Sequence, residues 1–145
     1  MIRAVLVDDE QLGRNRLRRL LKEHPDVEIV AEAADGVAAR AAVLQSRPDL
    51  LFLDVQMPVE DGPTALRKLR AAVPEAQLPF VVFTTAHAQH ALDAFELEAI
   101  DYLLKPVERD GLARALKRVR RQVWQRSAPP AAPPEMAPAP PSEPA

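Results

Sequence analysis

The 145 residues carry 19 Lys+Arg against 21 Asp+Glu and are 48% hydrophobic, which suits one ordinary domain with a buried core and a tail. The chain has no cysteine, excluding disulfide frameworks, thiolate metal sites and thiol nucleophiles, and no apolar run reaches the ~18 residues of a membrane span. Only Glu135 and Glu143 lie beyond residue 126, so residues 1–126 balance at 19 cations and 19 anions, and a neutral body offers nucleic acid no overall electrostatic footprint.

Met1-Ile2-Arg3 runs straight into an apolar segment with no signal-peptide pattern, so a soluble, cytoplasmic protein is expected. Buried strands are predicted over residues 2–7, 27–33, 50–53, 80–84 and 100–104, short apolar runs with β-branching. Helical patterns separate them. The first helix presents Leu17, Leu20 and Leu21 to the core, and the second Val37, Ala41 and Leu44. Pro63 opens the third, with Leu66, Leu69 and Val73 inward. Ala88, Leu92 and Phe95 mark a short fourth helix. Leu112, Leu116, Val119 and Val123 recur at spacings of 4, 3 and 4 in the fifth, the clearest amphipathic pattern in the chain.

From Ser127 to Ala145, eight residues are Pro and six are Ala. Such a stretch cannot bury enough apolar surface to offset the entropy of ordering. It reads as a disordered linker to a further domain, or as a plain tail. The expected division is a domain over residues 1–124 and a Pro/Ala-rich segment over 125–145.

Alternating strands and helices imply an α/β fold: a doubly wound, five-stranded parallel sheet with helices on both faces and right-handed crossovers. The site of such a fold lies beyond the carboxyl ends of the strands, where strand order reverses. Asp8-Asp9 follow the first strand, Asp54 the third, Thr84-Thr85 the fourth and Lys105-Pro106 the fifth. In a flavodoxin-like order 2-1-3-4-5 these four ends are neighbours. Each piece alone has a plain structural reading as helix cap, strand residue or strand terminator; together they do not. Crowded carboxylates raise one another's pKa unless a cation intervenes. A hard ion such as Mg²⁺ answers that need with oxygen ligands and retained waters. Held by Asp9 and Asp54, it leaves one Asp54 oxygen free to attack phosphorus, while Lys105 and Thr85 receive the transferred group.

Val7-Asp8-Asp9-Glu10, Leu53-Asp54-Val55-Gln56-Met57-Pro58 with Asp61-Gly62, Thr85-Ala86 and Lys105-Pro106 resemble the receiver-domain pattern of two-component response regulators, over residues 1 to about 122. The resemblance implies a phosphorylation-driven signalling switch rather than a turnover enzyme, with a sensor histidine kinase as phosphodonor. It implies Asp54 as phosphoacceptor, Asp9 and Asp54 as direct Mg²⁺ ligands, Asp8 acting largely through water, and a ligand carbonyl from Gln56. Thr85 and Lys105 would bind the phosphoryl oxygens, with a cis peptide between Lys105 and Pro106. Tyr102 matches the aromatic switch position, and also suits a strand aromatic packed on the last helix. Val107 departs from the Phe common after Lys-Pro.

Phe83-Thr84-Thr85-Ala86-His87 and residues 94–106 further resemble receivers of LytTR-type transcription regulators. That implies DNA binding only through a β-rich output domain absent from these residues. A stand-alone receiver acting by protein contact is the alternative output. A Mg²⁺-dependent aspartyl-phosphate phosphohydrolase is the alternative class, opposed by Gln56 where dehalogenase-type phosphatases carry a second Asp. Arg14, Arg16, Arg18, Arg19 and Lys22 suit a solvated face or a kinase-docking one. His24 and His90 suit solvated helix positions, whereas His87 stands near the phosphoryl site. Trp124 covers apolar surface or meets a partner. Asp93, Glu96, Glu98 and Asp101 face Arg114, Lys117, Arg118, Arg120 and Arg121 across the fourth helix, fifth strand and fifth helix, an arrangement suited to an isologous homodimer. Arg120 and Arg121 otherwise complement the helix C-terminus.

Overall fold

In the computed structural model, which describes residues 1–90 and 97–127, five strands form one sheet in the order β2-β1-β3-β4-β5. They are β1 (Ile2–Val7), β2 (Val27–Ala33), β3 (Leu50–Asp54), β4 (Phe80–Thr85) and β5 (Asp101–Leu104), all paired in parallel. The helices are α1 (Gln11–Leu21), α2 (Gly36–Ser46), α3 (Gly62–Ala72) and, after β5, α4 (Arg109–Ser127). The last of these is the helix expected fifth. The expected fourth, with Leu92 and Phe95, falls on residues outside the described ones, preceded by a 3-10 turn over Ala88–His90. The tail from residue 128 also lies outside them.

Strand pleating divides the interior into two cores. Ala4, Leu6, Leu50, Phe52, Val82 and Leu103 point to one face, against Leu17 and Leu21 of α1 and Leu112, Leu116 and Val119 of α4. Val5, Val7, Leu51, Leu53, Val81 and Phe83 point to the other, against Ala39 and Val43 of α2 and Leu66 and Leu69 of α3. Both faces are covered, which is why the strands read as continuous apolar runs rather than alternating ones. Two Asp residues start helices at the site end. Asp35 accepts the Ala38 N–H at 2.8 Å and Asp61 the Thr64 N–H at 2.8 Å, satisfying donors that a helix start leaves open.

Several expectations need correction. Val37, Ala41 and Leu44 do not face the core: Val37 is 47% and Leu44 54% exposed, whereas Ala39 is fully buried. Helix α2 is apolar on nearly every side, so its periodicity selects no face. The small Ala39 and the Val43 below it let α2 settle on the sheet. Arg14 and Arg18 are not merely solvated, since both pair with Glu32 of β2, and Arg16 Nε donates to the Val107 carbonyl at 2.7 Å. His24 lies past the end of α1, its Nδ1 3.0 Å from Arg120. Arg120 pairs with Asp26 at 2.7 Å rather than complementing its own helix end. Tyr102 packs into the α2/α3 core, not onto the last helix, because its neighbour Leu103 takes that side.

The final helix continues through Ser127, with Arg126 over the Phe80 ring at 3.9 Å and donating to the Leu78 carbonyl at 2.7 Å.

Candidate functional site

The sheet ladder runs past the strand ends and sets the site. Asp8 N–H donates to Ala33 O at 3.1 Å, Val55 N–H to Thr84 O at 2.9 Å, and Lys105 N–H to Thr85 O at 2.8 Å. Asp8, Asp54, Thr85 and Lys105 therefore stand side by side at the point where chain order reverses between β1 and β3. The Lys105–Pro106 peptide is cis.

Asp54 is 4% and Asp8 7% exposed, while Asp9 is open to solvent. Carboxylate oxygens of the three lie within 4.8 Å of one another. The cation that such crowding demands is Lys105, whose Nζ lies 2.8 Å from Asp8 Oδ2 and 2.8 Å from Asp54 Oδ2. The other oxygens have backbone donors: Glu10 N–H to Asp8 Oδ1 at 2.9 Å and Gln56 N–H to Asp54 Oδ1 at 3.3 Å. Thr85 is buried, its Oγ1 accepting the His87 N–H at 3.0 Å. Tyr102 is half-buried on the same edge of the sheet.

Two contributions of residues already noted in the sequence were not foreseen there. Arg14 Nη1 donates to the Asp8 carbonyl at 2.5 Å, fixing the β1 end from α1. Gly62 lies so close to Asp54 that a Cβ there would stand 2.3 Å from the Asp54 carbonyl oxygen. The Asp61-Gly62 pair was legible as a motif, but this close approach was not.

Burial is the main influence on Asp54. It pushes the carboxyl up, Lys105 pulls it back through its hydrogen bond and charge, and Asp8 adds to the rise, leaving it at about 6. Burial alone would lower Lys105, yet its bonds to Asp54 and Asp8 hold it above the ordinary lysine value. A carboxyl at about 6 against 3.8 when unfolded contributes its full stability below 3.8. That contribution fades as pH rises to about 6 and is flat above. By linkage the loss amounts to roughly 3 kcal/mol across the window. Melting of metal-free wild type and Asp54→Asn from pH 4 to 8 checks this: the wild type should fall relative to the variant up to about pH 6 and run parallel to it above. Parallel curves over the whole range would show that burial does not strain Asp54.

The donor set suits a small hard cation. It consists of carboxylate oxygens, two shielded and one in water, with no nitrogen or sulfur ligand among them. Mg²⁺ is an ion of that kind, and the three carboxylates fit it.

The chain matches the response regulator receiver domain family over residues 4–117. It is 47% identical over 122 residues to the transcriptional regulatory protein BtsR of Salmonella typhimurium (strain LT2), an alignment covering 84% of this chain and 49% of that protein. With BtsR of Escherichia coli (strain K12) the identity is 44% over 122 residues, with the same coverage, 84% and 49%. The chain thus spans about half the length of these curated relatives. Among solved structures, the response regulatory domain of mrkE from Klebsiella pneumoniae superposes with a TM-score of 0.74 at 32% identity, covering 86% of this chain and 98% of that one. The fold, the strand-end residues and these likenesses agree: the chain belongs to the response regulator receiver domain family.

Proposed function

We propose that this receiver is a signalling switch that takes a phosphoryl group onto Asp54 from a sensor histidine kinase, using Mg²⁺. The observation that carries the reading is the placement of Lys105 Nζ at 2.8 Å from both Asp8 and Asp54, inside a cluster of three carboxylates at the sheet's switch point. Bound Mg²⁺ would supply charge neutralisation for the phosphoryl oxygens. An Asp54 oxygen forms the new bond to phosphorus as the bond to the kinase's histidine nitrogen breaks, the imidazole leaving with the electron pair. Lys105 then exchanges its contact with Asp54 for one with a phosphoryl oxygen, and Thr85 donates a second hydrogen bond to the group. Moving Thr85 would release the edge of the sheet that carries Tyr102, passing the change to β5 and α4.

The BtsR relatives are named transcriptional regulators. We extend that output to this protein, through a LytTR-like DNA-binding domain following a receiver and a linker, whose expected boundary at residues 124/125 is moved by the final helix to Ser127. A stand-alone receiver is the alternative, and the length of the open reading frame separates the two. A homodimer over the expected fourth helix, whose residues 91–96 lie outside the described ones, β5 and the final helix is part of the proposal. Its charges are partly used within one chain, since Arg114 pairs with Asp101 at 3.3 Å and Arg120 with Asp26. Among the described residues, Lys117, Arg118 and Arg121 of the expected basic half have no ion pair within the chain, Arg118 donating to the Ile100 carbonyl, and Asp93 and Glu96 lie outside the described residues.

Incubation with a small phosphodonor tests the core of the reading. The intact mass should rise by one phosphoryl group per chain with Mg²⁺ and stay unchanged with a chelator; gain without Mg²⁺ would count against it. The ligand roles have their own test. Asp9→Ala should remove Mg²⁺ binding more completely than Asp8→Ala, because Asp8 already has Lys105 and the Glu10 N–H as partners, whereas Asp9 is open to solvent. Equal affinities in an NMR titration would contradict that order.

A further inference from the structure

A tight turn separates the Asp54 loop from α3. The Glu60 N–H donates to the Pro58 carbonyl at 2.7 Å, and Val59 between them has φ of 70°. This is a γ-turn in its strained, positive-φ form, built on a β-branched residue for which that region is unfavourable. Packing offers no compensation there, because Val59 is 84% exposed.

What holds the turn lies one residue on. The Glu60 side chain is 5% exposed and is gripped from two helices, by Arg40 Nε of α2 at 2.7 Å and Lys68 Nζ of α3 at 2.9 Å. Arg40 first and Lys68 second hold this carboxyl down at about 2, so it stays charged through the physiological range. The Glu60 carbonyl accepts the Gly36 N–H at 2.9 Å. A Cβ at Gly36 would stand 2.5 Å from that oxygen, so α2 reaches the turn because residue 36 has none. Gln56 belongs to the same loop, its N–H on Asp54 at 3.3 Å, and the loop closes through Gly62 N–H on the Val55 carbonyl at 3.0 Å.

We propose, resting on the Mg²⁺ reading above, that Glu60 is a positioning residue for the metal site: its anchor to Arg40 and Lys68 clamps the strained turn at Val59 and so fixes the Gln56 backbone beside Asp54. Freed from the anchor, Val59 relaxes to negative φ and the Gln56 carbonyl moves with the loop. Stored strain at such a position is tolerated because the surroundings over-determine it, and Glu60 is the charged part of those surroundings.

The test is Mg²⁺ titration of the metal-free protein followed by NMR. Glu60→Gln keeps the side-chain shape and loses both ion pairs; it should weaken Mg²⁺ binding on the order of tenfold, as outer-shell partners of metal ligands do. Arg40→Ala, with Lys68 still in place, should weaken it less. Adding Val59→Gly to Glu60→Gln should recover part of the affinity, because glycine adopts this φ without strain. Arg120→Ala is the control for stability alone. It breaks the Asp26 pair at the opposite end of the sheet and should lower Tm while leaving Mg²⁺ affinity unchanged. A wild type that binds no Mg²⁺ would overturn the metal site itself. A wild type that binds, with a folded Glu60→Gln that binds equally well, would overturn the proposal alone. If Glu60→Gln does not fold, unchanged affinity in Arg40→Ala overturns the anchor instead. A double variant without recovery removes the Val59 strain from the proposal.

Discussion

Asp54→Ala should take up no phosphoryl group under conditions where the wild type gains one per chain. The expected effect is total, because no neighbouring carboxylate can substitute for Asp54. Asp8 follows β1, which is not adjacent to the strand carrying Thr85, and Asp9 is exposed on the solvent side of the cluster. Asp54 alone stands at the end of a central strand with one oxygen on Lys105 and the other on the Gln56 N–H. Its removal also takes a buried carboxyl out of the site, so the fold should survive; Lys105 keeps Asp8 as partner. Asp54→Asn should give the same zero uptake while retaining the side-chain shape, which separates loss of the nucleophile from loss of packing. Intact mass after incubation with a small phosphodonor and Mg²⁺ is the measurement. A gain of one phosphoryl group on the Ala variant would move the acceptor elsewhere.

Most of what positions Asp54 could be read from residue order. The five strands are buried on both faces, so each is a plain apolar run, and a polar residue at its end marks where it leaves the core. Asp54 and Thr85 prove to be the last residues of their own strands, one position deeper than expected. The face of α2 was not legible, because an Ala-rich helix with apolar residues on nearly all sides encodes no direction. Its orientation is set by how closely Ala39 and Gly36 let it approach the sheet and the Glu60 turn. Long-range arginine partners were equally hidden. Arg14, Arg16 and Arg18 look like one basic face along the sequence, but Glu32, the Asp8 carbonyl and the Val107 carbonyl reach them from three different elements. Glu60 and Val59 sit inside a recognisable motif without any residue type that announces an ion-pair anchor or a positive φ.

The role of Lys105 is where sequence and structure differ most usefully, and its removal should have a second large effect. The sequence reading makes it a ligand for phosphoryl oxygens; in the structure it is the counter-ion of Asp8 and Asp54. Lys105→Ala therefore leaves two shielded carboxylates facing each other. Stranding a buried charge in this way costs on the order of 3 kcal/mol, or roughly 10 °C in Tm for a domain of this size. The cost should depend on pH in a defined direction. Asp54 already sits at about 6, and loss of the lysine removes the influences that pull it down, so its folded value rises further. A group raised in the folded state contributes stability at low pH that is lost as pH rises. The variant should therefore approach the wild type near pH 5 and fall well below it at pH 8. Mg²⁺ should restore much of the difference, because the ion takes over the neutralisation that Lys105 supplied. For the same reason Mg²⁺ affinity should not fall in the variant, since the lysine no longer competes for the same oxygens. Phosphorylation should still occur, but its conformational readout at β5 should weaken, because the contact linking the phosphoryl group to that strand is gone. Melting curves at pH 5 and pH 8, with chelator and with Mg²⁺, test the whole chain of reasoning. A Lys105→Ala protein that loses Mg²⁺ affinity as severely as Asp9→Ala would show that Lys105 supports the metal site rather than competing with it.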